Sequence, residues 1–233
     1  MVLYCSPMKV PRVIRAVPAA VIALIIQGLT LSNSTIATPW TSNNSSVADR
    51  PRIVAFGDSL TAGLGVSAEE SYPAQLQRRL DGAGLRYRVV NAGVSGDTTA
   101  GGLRRVAWVL NSKPRIVILE LGANDGLRGL SLRETRGNLE RIIRQLQAAS
   151  VTVVLAGMKL PPNYGTEYTA GFETIYRSLA QKYHLTLIPF FLDGVAGSAS
   201  LNQADGIHPT GEGYQIVADR VLKVVKPLLE QKQ

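Results

Sequence analysis

The chain predicts a domain of the α/β class in three layers, α/β/α, with a parallel sheet between two layers of helices. Three observations lead there. Five short apolar runs, rich in Val and Ile, recur at 52–57 (RIVAFG), 86–91 (RYRVVN), 115–121 (RIVILEL), 151–157 (VTVVLAG) and 185–191 (LTLIPFF). The stretches between them carry apolar residues at helical spacing. Breakers such as Pro73, Gly82, Gly84, Pro114 and Pro161-Pro162 separate the two kinds of segment. Strands alternating with helices are joined by right-handed crossovers, which makes them parallel and covers both faces of the sheet. A chain of 233 residues, 45% of them hydrophobic, is enough for one such core and does not require a second domain.

Taken in order, the chain begins with a segment unlike the rest. Lys9, Arg12 and Arg15 precede 16–31, an uncharged and mostly apolar run; Thr35-Ile36-Ala37 closes it, and no charge returns until Asp49. That layout is a secretory signal peptide, expected over residues 1–37, with Met8-Lys9 as an alternative start. The sixteen residues of 16–31 are short for a span, so an uncleaved anchor is the second reading. Cys5 lies before the apolar run and leaves with the leader, so the exported chain has no disulfide and no thiolate metal site. An exported, periplasmic or secreted, location is inferred from the leader alone.

The leader holds three cations and no acid, so the net charge of +8 becomes +5 for 38–233. The remaining basic residues are scattered, with Arg78-Arg79 and Arg104-Arg105 the adjacent pairs, and no aromatic-interleaved stripe marks a nucleic-acid reader. Weak attraction to an anionic membrane surface is compatible with that charge, and a monomer is expected. Residues 38–50 (TPWTSNNSSVADR) are polar, rich in Ser and Asn and without period, hence a linker; 51–233 form the folded domain.

Within that domain the helices follow from spacing. In 133–149, Leu139, Ile142, Ile143 and Leu146 obey the i, i+3, i+4, i+7 rule; in 212–229, Tyr214, Val217, Val221, Val224 and Leu228 do so. The residues after each strand then gather at one edge of the sheet, where open α/β sheets bind ligands. After the first strand come Gly57-Asp58-Ser59. A Gly-rich loop, 91–98, follows the second, and Gly122-Ala123-Asn124-Asp125 the third. Asp205-Gly206-Ile207-His208-Pro209 precedes the last helix.

These types suit nucleophilic chemistry. A serine hydroxyl needs a base to take its proton, and His208 is the histidine flanked by loop residues. Asp205 can hydrogen-bond the other ring nitrogen and fix the tautomer. A tetrahedral oxyanion needs donors, which the backbone N–H groups of Gly96 and Ser59 and the amide of Asn124 can supply. Each residue also has an ordinary structural reading. Asp58, Asn124, Asp125 and Asp205-Gly206 are common turn residues, and His184, which ends KYH before a strand, reads as structural. Their joint occurrence at successive strand ends is what favours a site. Gly57…Gly63-Leu64-Gly65 lacks a Walker lysine and the dinucleotide spacing. With two distant histidines and no cysteine after the leader, no zinc site is expected, and Ser59 is not within GxSxG.

GDSL at 57–60, the glycine of SGDTT at 95–99, GAND at 122–125 and DGIHP at 205–209 resemble the four blocks of the SGNH (GDSL) hydrolase superfamily. AGVSGDTTAGGLRR at 92–105, LELGANDGLRG at 119–129, LPPNYG at 160–165, IYRSLA at 175–180 and PFF at 189–191 resemble one subgroup, bacterial periplasmic enzymes that combine arylesterase, thioesterase and lysophospholipase activities. The resemblance implies a flavodoxin-like fold with strand order 2-1-3-4-5. It also implies Ser59 as nucleophile, Asp205 and His208 as the other triad members, and Ser59, Gly96 and Asn124 as the oxyanion hole. No cofactor or metal is implied; the substrates implied are small acyl esters, thioesters or lysophospholipids. By the same resemblance the loops 125–130 and 160–165 border an acyl groove, with Leu127, Leu130, Leu160, Pro161 and Tyr164 as an apolar wall. The alternatives are a carbohydrate O-deacetylase and, less in keeping with an intact Ser59, Asp205 and His208, a non-catalytic lipid- or glycan-binding domain.

Overall fold

The computed structural model describes residues 50–230; the expected leader, and the expected linker apart from Arg50, lie outside the described residues. The elements run β1 (Arg52–Gly57), α1 (Ser59–Ala62), α2 (Tyr72–Gly82), β2 (Arg88–Gly93), α3 (Thr99–Asn111), β3 (Pro114–Glu120), α4 (Ala123–Leu127), α5 (Leu132–Ala148), β4 (Thr152–Ala156), α6 (Thr166–Tyr183), β5 (Thr186–Ile188) and α7 (Gly211–Glu230). All strand pairs are parallel, in the order β2-β1-β3-β4-β5. Helices α2 and α7 pack together, and α5 packs between α3 and α6, so the sheet is covered on both sides as predicted. Among the described residues no helix is long and apolar enough to cross a membrane.

β1 and β3 are the central strands. Ile53 to Phe56 and Ile116 to Leu119 are buried throughout, which suits β-branched side chains packed on two faces. The helices form where the apolar spacing lies. In α5, Ser131 caps the N-terminus by accepting from the Glu134 amide, and Leu139, Ile142, Ile143 and Leu146 are fully buried.

Three sequence expectations shift. The second strand lies at Arg88–Gly93 rather than 86–91. Asn91 and Gly93 are poor strand formers, yet pairing of Ala55 with Asn91 and of Gly57 with Gly93 holds them in the ladder. The fifth strand ends at Ile188 because Pro189 cannot donate to the ladder, so 189–191 leave the sheet. In α7 the buried stripe passes through Val217, Val221, Val225 and Leu229, while Val224 and Leu228 sit at its margin. The apolar pairs 224/225 and 228/229 allow either phase, and packing selects the second of each.

Candidate active site

The site begins at the carboxyl end of β1. Gly57 has no room for a side chain: a Cβ there would stand 2.0 Å from Thr61 Oγ1 and 2.4 Å from Glu120 Oε2. Asp58 then caps α1, its Oδ1 accepting from the Leu60 amide at 3.0 Å. Ser59 opens that one-turn helix and is 8% exposed, enough for its hydroxyl to reach a cavity.

His208 arrives from the loop before α7, 149 residues further on. Its Nε2 lies 2.9 Å from Ser59 Oγ and its Nδ1 lies 2.6 Å from Asp205 Oδ2. The Asp205 carboxylate can only accept, so the ring proton sits on Nδ1 and Nε2 is left to accept from the serine hydroxyl. Asp205 is fixed in turn by the amides of His208 at 3.0 Å and Ile207 at 2.9 Å, which hold its carboxyl down at about 2.

Two loops complete the cavity. In the loop after β2, Gly96 adopts φ +78°, a conformation that disfavours side chains. Its carbonyl accepts from Arg128 at 3.0 Å, and its own N–H has no hydrogen-bond partner among the described residues. Asn124, at the start of α4, donates from Nδ2 to Asp58 Oδ2 and to the Asp97 carbonyl, each at 3.0 Å. Asp125 is buried and accepts from the Thr99 amide at 2.8 Å, which ties α4 to the start of α3. Ser59, Gly96, Asn124 and His208 line one cavity of about 260 Å³, with Asp205 behind the imidazole.

A family model described as GDSL-like Lipase/Acylhydrolase matches residues 55–216. The chain belongs to this family. Esterase TesA of Pseudomonas aeruginosa is 43% identical over 178 residues, covering 76% of this chain and 89% of the relative. The Thioesterase 1/protease 1/lysophospholipase L1 of Escherichia coli strain K12 is 38% identical over 178 residues, 76% of this chain and 84% of the relative. A crystal structure of TesA superposes with a TM-score of 0.74 at 42% identity, covering 76% of this chain and 99% of that one. The protein is thus a hydrolytic enzyme acting on ester bonds.

Beside the first cavity lies a second of about 450 Å³, the two sharing Leu60, Ala123, Leu127 and Ile207. Of the five residues expected in its wall, Leu127, Leu160 and Pro161 line it and two do not. Leu130 follows the Gly129 turn, at φ +64°, and points outward at 39% exposure. Tyr164 donates its hydroxyl to the Leu127 carbonyl at 2.9 Å and braces the loop instead. Met158, Phe190, Leu192 and Ile207 supply wall that the sequence reading missed. PFF at 189–191 could have signalled Phe190, since the edge strand cannot continue through Pro189.

Asp58 is more than a turn residue. It is 1% exposed, and burial pushes its carboxyl up to about 6 against the donors Leu60 and Asn124. Glu120, at the end of β3, is fully buried beneath the same turn and was not anticipated as part of the site. A single acid in the otherwise apolar run 116–121 (IVILEL) was the available signal. Among the described residues no group of three or more His, Cys, Asp or Glu side chains is arranged to hold a metal ion.

Proposed function

We propose that the protein is an exported serine hydrolase that cleaves fatty acyl esters and thioesters, lysophospholipids and aryl esters among them, through a covalent acyl-enzyme. One observation carries this reading: Ser59 Oγ, a correctly oriented imidazole and the three residues that carry candidate oxyanion donors, Ser59, Gly96 and Asn124, line one cavity that adjoins an apolar lobe. The names of the relatives, an esterase and a thioesterase/lysophospholipase, agree with it. Export to the periplasm rests on the basic and apolar leader of residues 1–37.

In the reaction, Ser59 Oγ bonds the acyl carbon as its proton passes to His208 Nε2. The carbonyl oxygen becomes an oxyanion held by the N–H groups of Ser59 and Gly96 and by Asn124 Nδ2. Collapse expels the alcohol or thiol, which takes the proton from His208. Water then repeats the sequence, giving the fatty acid and the free serine. Asp205 stabilises the imidazolium in both halves. Asn124 meets this demand by exchanging its contact with the Asp97 carbonyl for the oxyanion, keeping the one to Asp58.

The lobe lined by Met158, Leu160, Phe190 and Leu192 favours acyl chains longer than acetyl. The test is hydrolysis of p-nitrophenyl esters from acetyl to palmitoyl, an acyl thioester and a lysophospholipid by the purified protein and by Ser59→Ala. Ser59→Ala should be inactive on all of them and fail to label with a fluorophosphonate. Full activity of that variant would end the proposal. Activity confined to acetyl groups would replace it with a deacetylase.

A further inference from the structure

Glu120 lies four residues before Asn124, and the reaction as proposed makes no use of it. Its side chain is 0% exposed, and among the described residues no cation pairs with it. Oε2 accepts the Thr61 hydroxyl at 2.7 Å and faces the Asp58 amide at 3.4 Å. Asp58 and Thr61 flank Ser59, so a single carboxyl oxygen grips the nucleophile turn on both sides. The glycine at 57 exists to admit this carboxyl, because a Cβ there would collide with Oε2. Among the described residues the other oxygen, Oε1, is buried without a hydrogen-bond partner, and so are the hydroxyls of Tyr72 and Tyr214.

Asp58 is the second buried carboxyl of this turn, and its surroundings differ. Two donors at 3.0 Å, the Leu60 amide and Asn124 Nδ2, point at it, and its charge is favoured by His208 and opposed by Asp97. Around Glu120 stand Asp58, Tyr72 of α2, Tyr176 of α6 and Tyr214 of α7, with no cation among the described residues. Burial keeps all three phenols neutral and pushes Glu120 well above the ordinary carboxylate range, with the Asp58 charge acting in the same direction. Two neighbouring buried carboxyls do not both ionise; both oxygens of Asp58 accept hydrogen bonds and His208 favours its charge, whereas Glu120 Oε1 has no partner among the described residues, so the proton stays on Glu120.

We propose that Glu120 is a positioning residue of the hydrolytic site: a neutral carboxylic acid that holds the 58–61 turn from beneath and leaves Asp58 as the charged member of the pair. Asp58 in that state orients Asn124 and faces the imidazolium, so the proton on Glu120 serves the oxyanion hole at one remove. The inference rests on Ser59 being the nucleophile.

A neutral acid predicts an unusual pattern of tolerance. Glutamine has the shape of Glu120 and places its carbonyl oxygen where Oε2 accepts from Thr61 and Asp58, with an amide in place of Oε1. Glu120→Gln is therefore expected to keep near wild-type kcat and KM for p-nitrophenyl butyrate, and to leave the acid limb of the kcat/KM profile between pH 5 and 9 in place. Glu120→Ala frees the turn and is expected to lower kcat by about 10²-fold with little change in KM. Thr61→Val, which removes the hydroxyl donor alone, should lower kcat in the same sense. Folding of each variant is followed by circular dichroism and urea midpoint.

If Glu120→Gln folds but is as impaired as Glu120→Ala, or if its acid limb moves downward, Glu120 is ionised and the proposal is overturned. Unchanged kcat in Glu120→Ala overturns it as well. Should Glu120→Ala fail to fold, Glu120→Gln and Thr61→Val decide alone. Ser59→Ala, measured in parallel, separates the two levels: activity there would refute the assignment of the nucleophile, whereas its loss beside an impaired Glu120→Gln would refute only the role of Glu120.

Discussion

Replacing Asp58 by asparagine should make the protein's stability less sensitive to pH, and the structure fixes the direction. The native carboxyl is raised by burial from 3.8 to about 6. Below pH 3.8 it is protonated whether the chain is folded or not and contributes nothing. Between 3.8 and 6 the folded chain binds more protons than the unfolded one, so stability falls as pH rises. Above 6 the full penalty of a buried charge is present, on the order of 3 kcal/mol for a shift of this size. Asp58→Asn removes that slope. It also loses the bond from Asn124 to Oδ2, an offset of about 1 kcal/mol that does not vary with pH.

Other groups do not mimic the signal. Glu120, also raised, destabilises with the same sign; removing the Asp58 charge takes away one of the causes that raise it, so its contribution in the variant is no larger than in the wild type. Asp205, depressed to about 2, stabilises above 3.8 and loses that effect as pH falls toward 2, outside the window. The measurement is urea unfolding at intervals from pH 4 to 7.5, followed by circular dichroism because Trp108 is 59% exposed and reports weakly on the core. The wild type should lose stability relative to Asp58→Asn across this range, most of it before pH 6.5. A difference that stays constant within about 1 kcal/mol would refute the argument, because a carboxyl raised by burial cannot leave stability flat. The variant should also be the slower enzyme at pH 8, since Asn124 loses the acceptor that orients it.

Asn124→Ala should lower kcat on a butyryl ester by about 10²- to 10³-fold with KM nearly unchanged, as steady-state kinetics will show; a raised KM with kcat unchanged would point to a role in substrate binding instead. Gly57→Ala drives a methyl into Thr61, the Glu120 carboxyl and the Glu120 carbonyl, so its urea midpoint should drop by an amount equivalent to about 1–3 kcal/mol or more and activity should go with it. Leu160→Trp fills part of the apolar lobe, so kcat/KM for decanoyl esters should fall at least tenfold more than for acetyl esters, about the discrimination one or two methylenes give. Equal losses on both would remove Leu160 from the acyl site.

Much of the site was legible in the sequence because of how a parallel sheet works. Once five apolar runs alternate with helices, the residues after each run must converge, which brings Ser59, Gly96 and Asn124 to one cavity, and the loop that leads into α7 adds His208. The substrate wall was legible only where the residue lies on an element that points inward. Leu127 and Leu160 do; Leu130 and Tyr164 sit in the same loops, but a turn at Gly129 and a hydroxyl contact to Leu127 send them elsewhere. Side-chain direction within a loop depends on such local bonds, and residue type does not reveal it. The short fifth strand shows the same limit. Its apolar run continues to Phe191, yet Pro189 ends the ladder and turns Phe190 toward the cavity.

The hardest part to read was the support beneath the nucleophile, and its logic is electrostatic. A buried acid in a strand normally suggests a partner cation, but among the described residues Glu120 and Asp58 have each other, a hydroxyl and amide donors. Such a pair is expensive in folding energy unless one proton is retained, and keeping it on Glu120 leaves the negative charge at Asp58, nearer to Asn124 and His208. A single anion there suits the reaction we propose: it would fix Asn124, the proposed oxyanion donor, through one amide hydrogen and favour an imidazolium at His208. Two anions would repel the oxyanion, and none would leave Asn124 free to turn. The site therefore needs one charge beneath the turn, and the proton goes to the carboxyl that keeps an unpartnered oxygen, which leaves that charge at Asp58.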